Sequence, residues 1–289
     1  TIRFSKHSRT IANSNGIHFD TTQSEYDFST MFTAKDGRQS SSFNYSGFSS
    51  IDLKTPIMKM AAIETLLKQS SEQISCKSID GKFVGDVIST PDCISNFIDG
   101  MTGHLTTGAL LKGQSIYQNK LNEKIATGGF EIKVRPRSPD FSSPKYVTGD
   151  GFETEDMNLI ENGVLKTFLV NQYGANKLKL ARAKAEDSHH IVGGGNTTLA
   201  EMIRSTKRGI LLCRFSGGNP AMNGDVSGVA KNSYLIEDGE IKYPISETMM
   251  SGNIPEMFLN ITGISKETIN FGSMIAPWIR FGGVTISGK

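Results

Sequence analysis

Apolar residues alternate or gather in short runs along most of this 289-residue chain, and few stretches repeat at helical spacing. Two matching phrases stand out, LIENGVLK at 159–166 and LIEDGEIK at 235–242. Each reads as a β-hairpin, with an apolar arm, a turn holding Asn-Gly or Asp-Gly, and a second arm. Glycine takes the positive φ of such a turn without a Cβ penalty. Residues 1–50 are polar and Ser-rich with strand-like alternation, which predicts a sheet with one wet face. A turn at 13–16, a strand at 26–34, a turn at 35–38 and a partner strand at 40–48 follow from that pattern.

A helix is expected over 55–70. Thr55 suits its N-cap and Pro56 its first turn, and Met58, Ala61, Ala62, Thr65 and Leu66 share one face. Residues 82–89 (KFVGDVIS) read as a strand. A second helix is expected over 93–112, with Ile94, Phe97, Ile98, Met101 and Leu105 as its apolar face. Gly100, Gly103 and Gly108 interrupt it, each costing about 1 kcal/mol relative to Ala, which predicts close backbone packing or a local break. Residues 127–150 read as an irregular loop holding one strand, 130–134. Residues 174–198 are basic and then Gly-rich, and predict a flexible surface segment with His189-His190 solvated before Gly193-Gly194-Gly195. Thr198 and Glu201 form a capping box opening a helix to Lys207. A buried strand at 210–215, a short helix at 255–260 and strands at 274–275 and 279–286 complete the pattern.

These elements predict an α+β fold. An antiparallel-β-rich C-terminal domain with a few helices is expected over 78–289. Residues 1–77 are expected to be the remainder of an α+β N-terminal domain with its linking helix. The chain opens on Thr1 directly in strand-like sequence, which suggests that an N-terminal portion is missing.

Composition narrows the function. With 31 basic and 29 acidic residues the net charge is +2, which argues against direct nucleic-acid binding, since that needs a concentrated basic face. No apolar run is long enough for a membrane span, and no signal-peptide pattern is present. Cys76, Cys93 and Cys213 form no CxxC or Cys/His ligand set, so reduced thiols in a cytoplasmic protein are expected. Ser227 in GDVSGVA does not fit a GxSxG elbow, and Gly217-Gly218 precedes no phosphate loop.

The order GDVSGVAKNSYLIEDGEIKYPISETMMSGN at 224–253, then FGSMIAPWIRFGGVTISG at 271–288, resembles the C-terminal region of the TldD/PmbA family. Within it the chain is more similar to the PmbA (TldE) branch. The TldD branch resembles a zinc peptidase, with an HExxxH helix and a C-terminal cysteine as its metal site. Alignment on Gly113-Gln114-Ser115 puts the two histidine places on Ile98 and Gly103 and the glutamate place on Asp99. The cysteine place falls on Phe271. Ile, Gly and Phe offer a metal no lone pair, so no metal and no catalytic residue is expected in this chain. A one-residue slip brings His104 near the helix without a second histidine.

The resemblance implies a non-catalytic subunit that pairs with a TldD-type subunit as a heterodimer, or self-associates as a homodimer when alone. Zinc is expected only in the partner. The implied substrate is an extended peptide, held by strand addition, with His104, Ser227 and Asn253 as candidate peptide-binding residues. A non-enzymatic peptide-binding or modulator protein, of the gyrase-modulator or peptide-antibiotic maturation type, is the alternative. A self-sufficient hydrolase using Ser227 or Asp99 is the third.

Overall fold

The computed structural model describes residues 1–217, 219–246 and 248–289, so Gly218 lies outside the described residues. The N-terminal part is a three-stranded antiparallel sheet in the order β1 (Ile2–Ala12), β2 (His18–Phe32), β5 (Asn44–Ser50). Between β2 and β5 lies a two-residue hairpin, β3 (Lys35–Asp36) and β4 (Gln39–Ser40). The β1–β2 hairpin leans on the 135–152 loop. Arg137 stacks over Phe19 and Tyr146, 5.5 and 5.4 Å from their centroids, and Asn13 Nδ2 donates to the Gly151 carbonyl.

The first helix departs from expectation. A 3-10 turn covers Ile57–Lys59, and α1 (Ile63–Glu72) starts only after Ala61 and Ala62 take φ of 45° and 56°. Ala61 is buried against Phe48 and Ile63, and its carbonyl accepts from Ser46 Oγ, so tertiary contacts override the good local helix propensity of the alanines.

The remaining strands form one mixed sheet. They are β6 (Lys82–Ser89), β7 (Ile132–Val134), β8 (Met157–Glu161), β9 (Val164–Leu165), β10 (His190–Val192), β11 (Arg208–Leu212), β12 (Arg214–Gly217), β13 (Asp225–Lys231), β14 (Tyr234–Glu237), β15 (Glu240–Pro244), β16 (Thr248–Asn253), β17 (Ile261–Asn270) and β18 (Met274–Ser287). The main order is β15-β14-β11-β6-β18-β10-β7-β8-β9. β18 is the spine. One of its edges takes β10 and then β6, and the other takes β17 and then β16, which continues through β13 to β12. Among the described strand pairs, β6–β11 and β10–β18 are the parallel ones. Both Gly-turn hairpins are present, with Asn162-Gly163 and Asp238-Gly239 all at positive φ.

The helices are α2 (Pro91–Thr102), α3 (Thr107–Leu111), α4 (Gln172–Leu178), α5 (Leu199–Arg204) and α6 (Ile254–Leu259). α2 lies on β18 with Ile94, Phe97, Ile98 and Met101 fully buried, as its apolar face requires. The expected 93–112 helix is in three pieces. After α2 a 3-10 turn covers Gly103–Leu105, and Thr106 caps a new helix by accepting from the Ala109 N–H.

The 174–198 segment also differs. α4 starts at Gln172, capped by Asn171, and runs into it as far as Leu178, and β10 sits between β7 and β18. His189 and His190 are therefore buried rather than solvated. Gly195 passes so close to Ile264 that a Cβ would strike its carbonyl oxygen, which is packing rather than flexibility. His189 Nε2–H donates to the Ser143 carbonyl at 2.9 Å, while Nδ1 accepts from Ser188 Oγ at 3.0 Å. Burial lowers its pKa. A histidine with a depressed folded pKa favours the folded state while neutral. Stability is thus lost as pH falls below the unfolded value of about 6.5 towards the lower folded one. Thermal melts between neutral and mildly acidic pH should show a steeper fall for the wild type than for His189→Gln.

Candidate functional site

A cleft of about 460 Å³ lies between α2 and the end of β12 with the 219–222 loop. Its helical wall is Asn96, Asp99, Gly100 and Gly103, which share one face at 3/4 spacing. Phe215, Pro220 and Met222 supply apolar surface, with Phe97 and Val226 buried at its back, and His104 and Gln114 also line it. Among the described residues β12 pairs with β13 on one edge, and Phe215 and Gly217 line the cleft. The Phe215 ring lies over the cross-strand pair Gly217 and Gly228, where a Cβ on either would come within about 2.6 Å of it. This gives the glycines of the GDVSG segment a packing reason.

The positions on α2 divide sharply. Residues five apart on an α-helix point about 140° apart. Ile98 accordingly faces the core with no exposed surface, while Gly103 opens into the cleft and a Cβ there would meet nothing within 4 Å. Gly100 is the opposite case, since its Cβ would come 2.5 Å from Ile254 Cδ1 and 2.9 Å from Pro220 Cγ. Asp99 lies exposed on the cleft wall. Desolvation by the surrounding protein raises its pKa, Asp187 adds to the rise and His190 opposes it. Asp187 sits behind it, 2.8 Å from His190 Nε2, although the contact is bent away from a good hydrogen-bond angle. Desolvation raises the Asp187 pKa, but His190 and the Thr102 hydroxyl together outweigh it and the net shift is downward.

His104 Nδ1 is 3.2 Å from the Gln114 carbonyl. A carbonyl only accepts, so this bond places a proton on Nδ1. The ring packs edge-on against Tyr117.

The other expected site residues are elsewhere. Val226 lines the cleft, and the period-two alternation of β13 turns Ser227 to the opposite face. There Ser227 lies with Ser251 and Asn253 along a separate shallow depression. Asn253 is a cap: its Oδ1 accepts from the Glu256 N–H, and its Nδ2 donates to the Asn223 carbonyl and Asp225 Oδ1. Phe271 packs with Phe28 and Phe48 and lines a cavity beside Thr90 and Asp92, at the start of α2. That end is about 16 Å from Gly103 at 1.5 Å per residue, so Phe271 does not join the cleft. Asn96, the 219–222 loop and the Asp187–His190 pair had no local signal in the sequence, since only tertiary folding brings them to α2.

Residues 81–288 match the family described as the PmbA/TldA metallopeptidase C-terminal domain. The chain belongs to that family. Metalloprotease PmbA from Escherichia coli O157:H7 is 26% identical over 248 residues, covering 80% of this chain and 52% of that protein. A Bacteroides thetaiotaomicron protein, described as a candidate modulator of DNA gyrase, superposes with a TM-score of 0.84 at 26% identity, covering 96% of this chain and 63% of that one. TldE from Thermococcus kodakarensis shares the fold with a TM-score of 0.83 at 21% identity, over 99% of this chain and 68% of that one. The chain spans about half the length of the curated relatives it matches.

The family description implies a metal, and the donor chemistry here does not fit one. Ile98 is apolar and buried, Gly103 has no side chain, and Phe271 is at the far end of α2. Among the described residues no group of three His, Cys, Asp or Glu is arranged to hold a metal ion. No described helix is long and apolar enough to cross a membrane.

Proposed function

We propose that this chain is a PmbA/TldE-like, non-catalytic subunit of a cytoplasmic zinc peptidase complex, and that its cleft holds unfolded peptide for a TldD-type partner. The observation that carries the reading is the cleft itself. It is a groove bordered by α2 and by the end of β12, whose outer edge pairs with no strand among the described residues. Backbone groups on such an edge can hydrogen-bond an extended peptide with little dependence on its sequence. Ile98, Gly103 and Phe271, the positions aligned by sequence with the TldD-branch metal ligands, carry no donor atom on their side chains. Zinc belongs, on this reading, to the partner of a heterodimer, and a lone subunit forms at most a homodimer.

The test is peptidase activity on an unfolded substrate. The purified chain alone should be inactive, and activity should appear when a TldD-type subunit is added. Equal activity with and without the partner would sink the reading. The name of the Bacteroides structural neighbour favours a second reading, a non-enzymatic modulator. Its mark would be capture of a client with no hydrolysis under any pairing. The near-zero net charge speaks against direct contact with DNA.

A further inference from the structure

Asp99 is the one charged side chain among the described residues lining the cleft. No hydrogen bond or ion pair from a described residue reaches its carboxylate. Other carboxylates nearby are engaged: Asp187 lies against His190, and Asp225 accepts from Asn223 and Asn253. Among the described residues no Lys or Arg lines the cleft. The second carboxylate, Asp187, lies close enough behind Asp99 to make the local field more negative. Phe215, Pro220 and Met222, which line the same cleft and keep exposed surface, suit the methylene stem of a long cationic side chain. An unpaired, partly desolvated anion over an apolar floor is a seat for an ammonium or guanidinium group.

We propose that the cleft selects extended peptides that carry a cationic group, a Lys or Arg side chain or the peptide's own α-ammonium, which pairs with the Asp99 carboxylate. This rests on the peptide-holding reading above and adds a substrate class to it. The cation source is settled by four versions of one synthetic extended peptide, with Lys or norleucine at the centre and the N-terminus free or acetylated. Each is titrated against the whole chain by fluorescence anisotropy at low salt, where an exposed ion pair is least screened.

The acetylated Lys peptide should bind about two- to fivefold more tightly than its norleucine twin, the range an exposed ion pair gives. Asp99→Asn should remove that preference without weakening the norleucine peptide, and Asp99→Glu should restore part of it. A preference that instead follows the free amine, and is also lost in Asp99→Asn, supports the same seat with the α-ammonium as its occupant. Equal binding of all four, or a preference that survives Asp99→Asn, overturns the inference and leaves the peptide cleft standing. Binding by none of the four overturns both. Unchanged thermal melts for the two variants exclude a folding defect as the cause.

Discussion

Gly103→Phe is expected to weaken peptide binding by at least about tenfold, roughly 1.4 kcal/mol, while the melting temperature stays level or rises. The backbone at Gly103 is right-handed helical, φ −53° and ψ −33°, so any L-residue fits there without strain. A Cβ at this position meets no atom within 4 Å, and the space it enters is the cleft. The ring would thus take volume from a ligand rather than from the core. Removing a glycine from a helical conformation also contributes up to about 1 kcal/mol to folding. Gly100→Ala is the matched control. It lies less than one turn earlier on the same wall, but its Cβ would press on Ile254 and Pro220, so stability should fall with or without a ligand. Peptide titration and thermal melts of the two variants separate the cases. Undiminished binding by Gly103→Phe would place the peptide outside the cleft and remove the structural basis of the proposed function.

The features most legible in the sequence were those fixed by local chemistry. Asn162-Gly163 and Asp238-Gly239 determine two hairpins because their turns need positive φ at both positions. Thr198 with Glu201 starts α5 through a capping box. Where a distant contact decides, local pattern failed. Ala61 and Ala62 favour helix, yet burial against Phe48 turns them left-handed. His189 and His190 read as solvent-facing beside three glycines, but His190 pairs with Val134 and Met274 at the centre of the sheet. β17 was missed because SKET at 265–268 is polar and its pairing with β18 shifts register around it.

The candidate site divides along the same line. Asp99, Gly103 and His104 share one end of α2, and their grouping follows from their spacing. Ser227 and Asn253 sit near the cleft in sequence terms, but a strand reverses its side chains at each residue, and one step from Val226 puts Ser227 on the other side of β13. Phe271 shows the limit of carrying a position across by motif order, since the chain brings it to the start of α2 and not to the end.

Phe97→Ala is the substitution expected to cost most, about 3–5 kcal/mol, out of a total of about 5–15 for a typical protein. Phe97 is almost wholly buried on the inner side of α2. Its ring stands 5.9 Å from Phe281 in an edge-on contact and 5.5 Å from Phe215. Phe281 in turn meets Phe258, and Phe258 meets Phe130, so the ring joins Phe215 to a line of aromatics that includes Phe281 of β18 and Phe258 of α6. Truncation leaves a cavity that neither the strand nor the helix backbone can close. It also takes the support from Phe215, whose ring is held over Gly217 and Gly228 beside the cleft. Denaturant unfolding should therefore show a much lower midpoint, and the folded fraction should bind peptide more weakly. Phe97→Leu keeps most of the volume and should recover most of the stability. Because it restores bulk but not the aromatic edge, any deficit in peptide affinity that remains in Phe97→Leu measures how far the cleft depends on the seating of Phe215. Full affinity in Phe97→Leu would show that packing volume alone shapes that wall.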